Sequence, residues 1–110
     1  MSVNSRLTKL LNFLEENPKD SFLLFAVAKE YENNERLDKA LFYYRSIQES
    51  DPEYIGLYYH LGKLYETLDE PLLALETFNL GIALAQKKVD FHSLSELNNA
   101  KMNLELSMNN

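Results

Sequence analysis

The sequence contains no cysteine and no tryptophan, and only three glycines and three prolines in 110 residues. Without cysteine the chain can form neither a disulfide nor a thiolate-bound metal site, and a reducing cytoplasm is the expected location. So few turn-forming residues favour helices joined by short connections over a sheet with many hairpins. The amino terminus lacks the apolar run of a signal peptide, and no stretch reaches the ~18 apolar residues of a membrane span. We therefore predict no membrane partner.

Positive charge is also scarce and dispersed. Eleven basic residues face 17 acidic ones, which gives a formal net charge of −6. A chain of this charge is repelled by a phosphate backbone unless its basic residues are clustered, and here they are scattered along the whole sequence. We therefore predict no nucleic-acid partner.

Apolar residues recur at helical spacing in six segments. The segments cover residues 5–16, 21–33, 37–50, about 54–67, about 71–87 and about 91–107. Asp20 is the expected N-cap of the second helix, and Pro71 suits the first turn of the fifth. The sixth starts either at Asp90 or at Ser93 paired with Glu96 as a capping box. The pattern predicts an all-α fold of six antiparallel helices.

Residues 21–54 align with residues 55–88 at an offset of 34. The identical pairs include Leu23 with Leu57, Lys29 with Lys63, Tyr31 with Tyr65, Glu32 with Glu66, Ala40 with Ala74 and Leu41 with Leu75. The turns coincide as well, since Asn34–Glu35 falls over Leu68–Asp69. A repeat of this period indicates a tandem array of helical hairpins.

The order of large and small residues within each segment resembles the tetratricopeptide repeat family, whose 34-residue unit forms two antiparallel helices. The matching residues are Leu24, Val27, Ala28, Tyr31, Ala40, Tyr44, Ile47 and Pro52 in the first unit and Tyr58, Leu61, Gly62, Tyr65, Ala74, Phe78 and Gly81 in the second. Gln86 replaces the final proline, so we expect the last helix of the second unit to run on. Gly62 and Ala74 are expected where the two helices of a unit approach closely. The resemblance implies an α–α superhelix and a likeness to small stand-alone bacterial proteins of this type.

The two flanking segments each resemble half a unit. The matching residues are Leu10, Phe13 and Pro18, as in the second helix of a preceding unit, and Leu94 and Leu97, as in the first helix of a following unit displaced by two residues. Asn98 and Lys101 interrupt the second pattern, as expected of a cap that faces solvent. We predict a single domain over residues 1–110, with an N-terminal capping helix at 5–16, repeats at 21–54 and 55–88, and a C-terminal capping helix at 91–107.

Residues that could support catalysis or metal binding are sparse. His60 and His92 lie 32 residues apart without a set of partners suited to a metal site, and solvated or interfacial histidine is the simpler interpretation of both. Pairs of acidic residues fall at helix ends and turns, where capping and solvation explain them. We predict no enzymatic activity, no cofactor and no metal site.

The resemblance implies a concave groove that holds an extended peptide or a helix of a partner protein. In this family the first helices of successive units line the groove with the face opposite their core stripe. The corresponding residues here are Phe22, Phe25, Lys29, Glu32 and Asn33 in the first unit and Gly56, Tyr59, Lys63, Glu66 and Thr67 in the second.

Two features of this set admit alternative interpretations. The aromatic residues Phe22, Phe25 and Tyr59 either bind a partner or pack between neighbouring helices. Lys29 and Lys63 either present ammonium groups to a partner or form surface ion pairs with the glutamate three residues later.

Two hypotheses for function remain open at this point. The first is a non-catalytic adaptor that binds a peptide or helix of a protein partner in the groove. The alternative is a self-associating structural subunit, a homo-oligomer that buries Phe22 and Phe25 between copies, or Phe42, which occupies a place that is usually polar on the outer face.

Overall fold

The computed structural model describes residues 5–110, which contain six helices and no strand. The helices are α1 (Ser5–Glu16), α2 (Ser21–Asn33), α3 (Leu37–Ser50), α4 (Gly56–Thr67), α5 (Pro71–Lys88) and α6 (Phe91–Met108). The all-α class predicted from the sequence is confirmed. The first four residues of the predicted domain lie outside the described residues.

Helix contacts group the chain into two compact units, Met1–Tyr54 and Ile55–Asn110. In the first unit α2 packs against both α1 and α3. In the second unit α5 packs against both α4 and α6, and α6 also contacts α4. Each unit therefore contains one complete helical hairpin and one additional helix.

The helix boundaries follow local chemistry. Asp20 caps α2 by accepting a hydrogen bond from the Leu23 backbone N–H at 3.0 Å. Asp90, rather than Ser93, caps α6, and it accepts from both the backbone N–H and the hydroxyl of Ser93. These bonds to the charged form hold the pKa of Asp90 below its ordinary value. Helix α4 begins at Gly56, later than predicted, because residues 52–54 form a turn after α3.

Two glycines allow close helix contacts in the second unit. A Cβ atom built on Gly62 would lie 2.3 Å from Cε1 of the buried Phe78 ring, so a methyl group has no room there. A Cβ atom on Gly81 would lie 2.6 Å from Tyr58 Cβ and 2.9 Å from Leu97 Cδ1. Gly62 thus brings α4 and α5 together, while Gly81 admits side chains of α4 and α6 against α5. The predicted need for glycine at position 62 is explained by this contact.

The three helix ends at α2, α4 and α5 share one turn geometry. Glu35, Asp69 and Val89 follow these helices, with φ angles of 60°, 60° and 54°. In each turn this residue and the next one donate backbone N–H groups to carbonyls of the last helical turn, at 2.8–3.2 Å. This is the Schellman arrangement, which normally takes glycine at the left-handed residue. Glu35 and Asp69 are 34 residues apart, so the repeat extends to the backbone of the turn.

Val89→Gly should raise the free energy of unfolding by about 1 kcal/mol. A left-handed conformation costs a β-branched residue at least ~1–2 kcal/mol, which exceeds the entropic penalty of glycine. Val89 is 64% exposed, so its removal sacrifices little burial. Chemical denaturation measures the change, with Val89→Thr as a control that keeps the branched Cβ and should leave stability near wild type. A lower midpoint for Val89→Gly would contradict this account of the turn.

Candidate partner-binding site

The predicted residues of the first unit lie on the face of α2 opposite its core. Leu24, Val27 and Ala28 are the buried residues of this helix. On the other side, Phe22 is 68% exposed and Asn33 is also exposed, whereas Phe25, Lys29 and Glu32 are partly exposed. The α2 face therefore offers one solvated aromatic ring next to polar groups.

Phe25 is held in an aromatic cluster within the first unit. Its ring centroid lies 5.8 Å from that of Tyr44 and 5.8 Å from that of Tyr54, with tilted planes in both pairs. Burial raises the pKa of Tyr54, and the carboxylates of Asp20 and Asp51 raise it further. Phe25 thus contributes to packing, and its remaining exposed edge can serve as a fixed platform on the α2 face.

Lys29 and Glu32 do not form the ion pair that their spacing allows. The hydroxyl of Tyr44 donates to Glu32 Oε1 at 2.8 Å, which ties this carboxylate to α3. Among residues 5–110, the ammonium of Lys29 has no salt-bridge or hydrogen-bond partner. The cation on the α2 face is therefore available for an external anionic or carbonyl group.

The predicted residues of the second unit lie on the corresponding face of α4, but with different pairing. Lys63 Nζ lies 3.6 Å from Glu66 Oε2, and the Thr67 hydroxyl donates to the Lys63 backbone carbonyl at 3.2 Å. Tyr59 is partly exposed and meets the neighbouring His60 ring edge-on, with centroids 5.4 Å apart. The lysine of α4 is therefore engaged by its own helix, whereas the lysine of α2 is not.

The inequivalence of the two lysines has a cause on the neighbouring helices. Phe78 occupies in α5 the place that Tyr44 occupies in α3, and it carries no hydroxyl. Glu66 Oε2 is buried and, within the described part of the chain, has no hydrogen-bond partner. Among residues 5–110, its one salt-bridge partner is the ammonium of Lys63, at a distance beyond a hydrogen bond.

A cluster of metal-ligating side chains is not seen in residues 5–110. No three His, Asp or Glu side chains in this range are grouped closely enough to hold a metal ion. None of the six helices combines the length and the apolar character that a membrane crossing requires.

Tandem helical hairpins with the same turn and the same inner spacing define an α-helical repeat protein. The sequence pattern of the tetratricopeptide repeat family matches residues 23–54 and 55–88. The chain belongs to the tetratricopeptide repeat family, which confirms the resemblance inferred from the sequence. Proteins of this family generally mediate protein–protein interactions and are typically non-catalytic.

Three solved structures with the same fold are similar to this chain. A tetratricopeptide repeat domain protein from Salinibacter ruber, determined by NMR in solution, is 41% identical, with a TM-score of 0.77 over 80% of this chain and 89% of that one. A crystal structure of the Salinibacter ruber domain protein is 41% identical, with a TM-score of 0.75 over 78% and 97%. The solution structure of a Bordetella parapertussis protein is 25% identical, with a TM-score of 0.82 over 96% and 91%. No curated protein matches the chain.

Two residues next to the predicted site were missed by sequence reasoning. Tyr54, the last residue of the first repeat, completes the aromatic cluster around Phe25. Asp51 accepts a hydrogen bond from the Ser21 hydroxyl at 2.6 Å, which links the end of α3 to the start of α2. The family pattern assigns no role to either position, so helical periodicity gave no signal for them.

Proposed function

We propose that this chain is a non-catalytic adaptor that binds a peptide or a helix of a partner protein against the groove-lining faces of α2 and α4. Its membership of a family of interaction modules supports the class of function. The observation that carries the specific site is the ammonium of Lys29, unpaired among residues 5–110, on the same face of α2 as the 68% exposed ring of Phe22. Exposed aromatic rings next to polar groups are common at protein interfaces.

The residues of the two faces have distinct roles in this proposal. Phe22 and Tyr59 supply apolar contact area, with Phe25 as a rigid support. Lys29 and Lys63 set the register of the bound segment through its carbonyl or carboxylate oxygens. Asn33 and Thr67 donate hydrogen bonds to the backbone of the bound segment. The carboxylates of Glu32 and Glu66 accept hydrogen bonds from it. The net charge of −6 favours a neutral or basic partner overall.

The double substitution Lys29→Glu/Lys63→Glu should weaken binding of the natural partner about tenfold or more, because reversing a rim charge turns attraction into repulsion. A pull-down from the native cell identifies partners, and calorimetry on the purified pair measures the affinity. Lys29 should account for most of the loss, because Lys63 is already engaged by Glu66.

The matched control is Lys19→Glu/Lys39→Glu, which changes the net charge equally at exposed positions outside the proposed groove. It should preserve binding. If the groove variant folds and binds every partner as tightly as wild type, the site assignment is wrong.

Self-association through Phe42 is the second candidate function, and one observation favours it. Phe42 is 63% exposed on α3 and borders a cleft of about 520 Å³ in the first unit. The apolar lining of this cleft includes Leu11, Leu14, Pro18 and Leu24. A second copy that placed its own Phe42 in the cleft would bury both rings in a symmetric dimer.

Phe42→Glu should abolish a dimer of this kind, because it places a charge in the apolar contact. Light scattering over a dilution series measures the mass of wild type and variant. A wild-type chain that stays at 12.8 kDa at all concentrations excludes the symmetric dimer.

A further inference from the structure

Tyr44 of α3 connects the core of the first unit to the α2 face. Its side chain is fully buried, and its hydroxyl donates to Glu32 Oε1 at 2.8 Å. The ring packs in the core, where its centroid lies 5.8 Å from that of Phe25. A buried ring in a close-packed core leaves its hydroxyl little freedom of direction. The position of the Glu32 carboxylate is therefore set from inside the first unit.

The two repeats provide an internal comparison of what this hydroxyl does. Lys29 and Lys63 lie 34 residues apart, and each is followed three residues later by a glutamate. In the first repeat Tyr44 binds the glutamate, and among residues 5–110 the ammonium of Lys29 has no salt-bridge or hydrogen-bond partner. In the second repeat phenylalanine replaces the tyrosine, and the ammonium of Lys63 lies 3.6 Å from Glu66. The lysine is thus paired in the repeat that lacks the hydroxyl and unpaired in the repeat that has it.

Competition for one carboxylate explains this difference. A hydrogen bond from a buried hydroxyl to a carboxylate is stronger than an ion pair between side chains three residues apart on a solvated helix face. Glu32 therefore turns towards α3, where Tyr44 donates to it. Glu66 has no such donor on α5 and lies beside the lysine of its own helix.

We infer, on the basis of the proposed function, that Tyr44 is a positioning residue for the partner-binding site. Its hydroxyl holds Glu32 away from Lys29 and leaves that ammonium available to a carbonyl or carboxylate oxygen of the bound segment. At α4 the ligand must first displace Glu66 from Lys63. The two repeats therefore contribute unequally, and the bound segment places its strongest oxygen acceptor against α2.

Acylation of the chain without any ligand tests this role. A limiting amount of acetic anhydride modifies the lysines, and mass spectrometry after digestion gives the acylation of Lys29 relative to the exposed Lys19. Tyr44→Phe should lower this ratio about twofold, because Glu32 is then free to hold the Lys29 ammonium. A twofold change corresponds to the strength of one ion pair on a helix surface.

Glu32→Gln in the Tyr44→Phe background should restore the ratio, because a neutral amide does not form the ion pair. A structural disturbance by Tyr44→Phe would persist in the double variant. The matched control is Tyr43→Phe, which removes a hydroxyl from the adjacent residue of α3. Tyr43 stacks on Tyr31, with ring centroids 5.7 Å apart, so this variant should keep the wild-type ratio for Lys29.

Phe78→Tyr should have the opposite effect in the second repeat. The added hydroxyl would compete with Lys63 for Glu66 Oε2, which is buried and has no hydrogen-bond partner within the described part of the chain. The acylation of Lys63 relative to Lys19 should then rise about twofold. Circular dichroism checks the folding of each variant, and Phe78→Tyr tests the same competition if Tyr44→Phe does not fold.

Peptide affinity is the second readout. The probe is a peptide selected from a random library on the wild-type chain, with its affinity measured by fluorescence anisotropy. Tyr44→Phe should weaken binding about twofold to fivefold, since the peptide must then displace Glu32 from Lys29. In a Lys29→Met background Tyr44→Phe should no longer change the affinity, because the hydroxyl acts through that lysine. Tyr43→Phe should bind like wild type.

Two results of the acylation experiment would overturn the role of Tyr44. One is a Lys29 ratio that does not fall in Tyr44→Phe or that Glu32→Gln does not restore. The other is a Lys63 ratio that does not rise in Phe78→Tyr. A loss of peptide affinity in Tyr44→Phe that persists in the Lys29→Met background would also overturn it. If no library peptide binds wild type, the proposed function fails, whereas the acylation ratios still decide whether Tyr44 controls the pairing of Lys29.

Discussion

Gly62→Ala should lower the free energy of unfolding by about 1–3 kcal/mol, although alanine is the better helix former by about 1 kcal/mol. The added methyl group would lie 2.3–2.8 Å from three atoms of the Phe78 ring. That ring is fully buried, so it cannot move without disturbing the contact between α4 and α5. Helix propensity therefore predicts a rise in the free energy of unfolding and packing predicts a fall, and denaturant titration decides between them.

A double-mutant cycle with Phe78→Leu assigns the effect to this contact. Leucine removes the ring atoms that the methyl group meets, so Gly62→Ala should cost much less in that background. Ala28→Gly in the first unit is the matched control. Ala28 lies at the equivalent place and is fully buried, so the core of the first unit already accommodates its methyl group, and the substitution should be destabilising. A gain in stability for Gly62→Ala would show that the Phe78 ring can move aside for the added methyl group, and it would contradict this account of the contact.

Tyr44→Phe should cost about 1.5–3 kcal/mol, because it removes a hydrogen bond to the carboxylate of Glu32. The reverse substitution in the second unit, Phe78→Tyr, should raise the free energy of unfolding by up to about 1 kcal/mol. Its new hydroxyl would reach the side of Glu66 Oε2, which is buried without a hydrogen bond within the described part of the chain. If neither Tyr44→Phe nor Phe78→Tyr changed the free energy of unfolding, the difference in glutamate pairing between the two repeats would have no energetic consequence, and this account would be wrong.

The hydrogen-bonded pair Tyr44–Glu32 also predicts that wild type and Tyr44→Phe differ in how their stability depends on alkaline pH. Burial, and then the hydrogen bond to Glu32, raise the pKa of Tyr44 above the ordinary value of 10.0. A group whose pKa is raised by folding contributes stability that is complete below its unfolded pKa and is lost as the pH rises towards the folded value. Wild type should therefore lose more stability than Tyr44→Phe above about pH 10. Parallel unfolding curves for the two proteins over that range would exclude this coupling.

The fold could be predicted because its signals are local and repeated. The structure reproduces two boundaries that the sequence predicted, namely the start of α2 after the cap at Asp20 and the start of α5 at Pro71. The start of α4 was predicted too early because the turn at Asp51–Tyr54 is closed by a backbone hydrogen bond, from the Tyr54 N–H to the Asp51 carbonyl, that leaves no mark on apolar periodicity. Val89 gave no signal for a left-handed turn, since its side chain disfavours that conformation.

The candidate site was less accessible to sequence reasoning, because pairing depends on neighbouring helices. Lys29 and Lys63 occupy equivalent places with a glutamate at the same spacing, so the sequence predicts identical behaviour. The structure separates them through a single hydroxyl group, present on Tyr44 and absent from Phe78. Phe25 likewise shares a helical face with Phe22, yet it contacts Tyr54, a residue outside any helix.

The central claim is that the faces of α2 and α4 bind an external peptide. The most direct measurement is to select binding peptides from a random library and to map the best one by amide chemical shifts of the labelled chain. We expect the shifts to concentrate around Phe22, Lys29 and Asn33 on α2 and around Tyr59 and Lys63 on α4. Shifts confined to the outer surfaces of α3 and α5, with those five residues unchanged, would contradict the account.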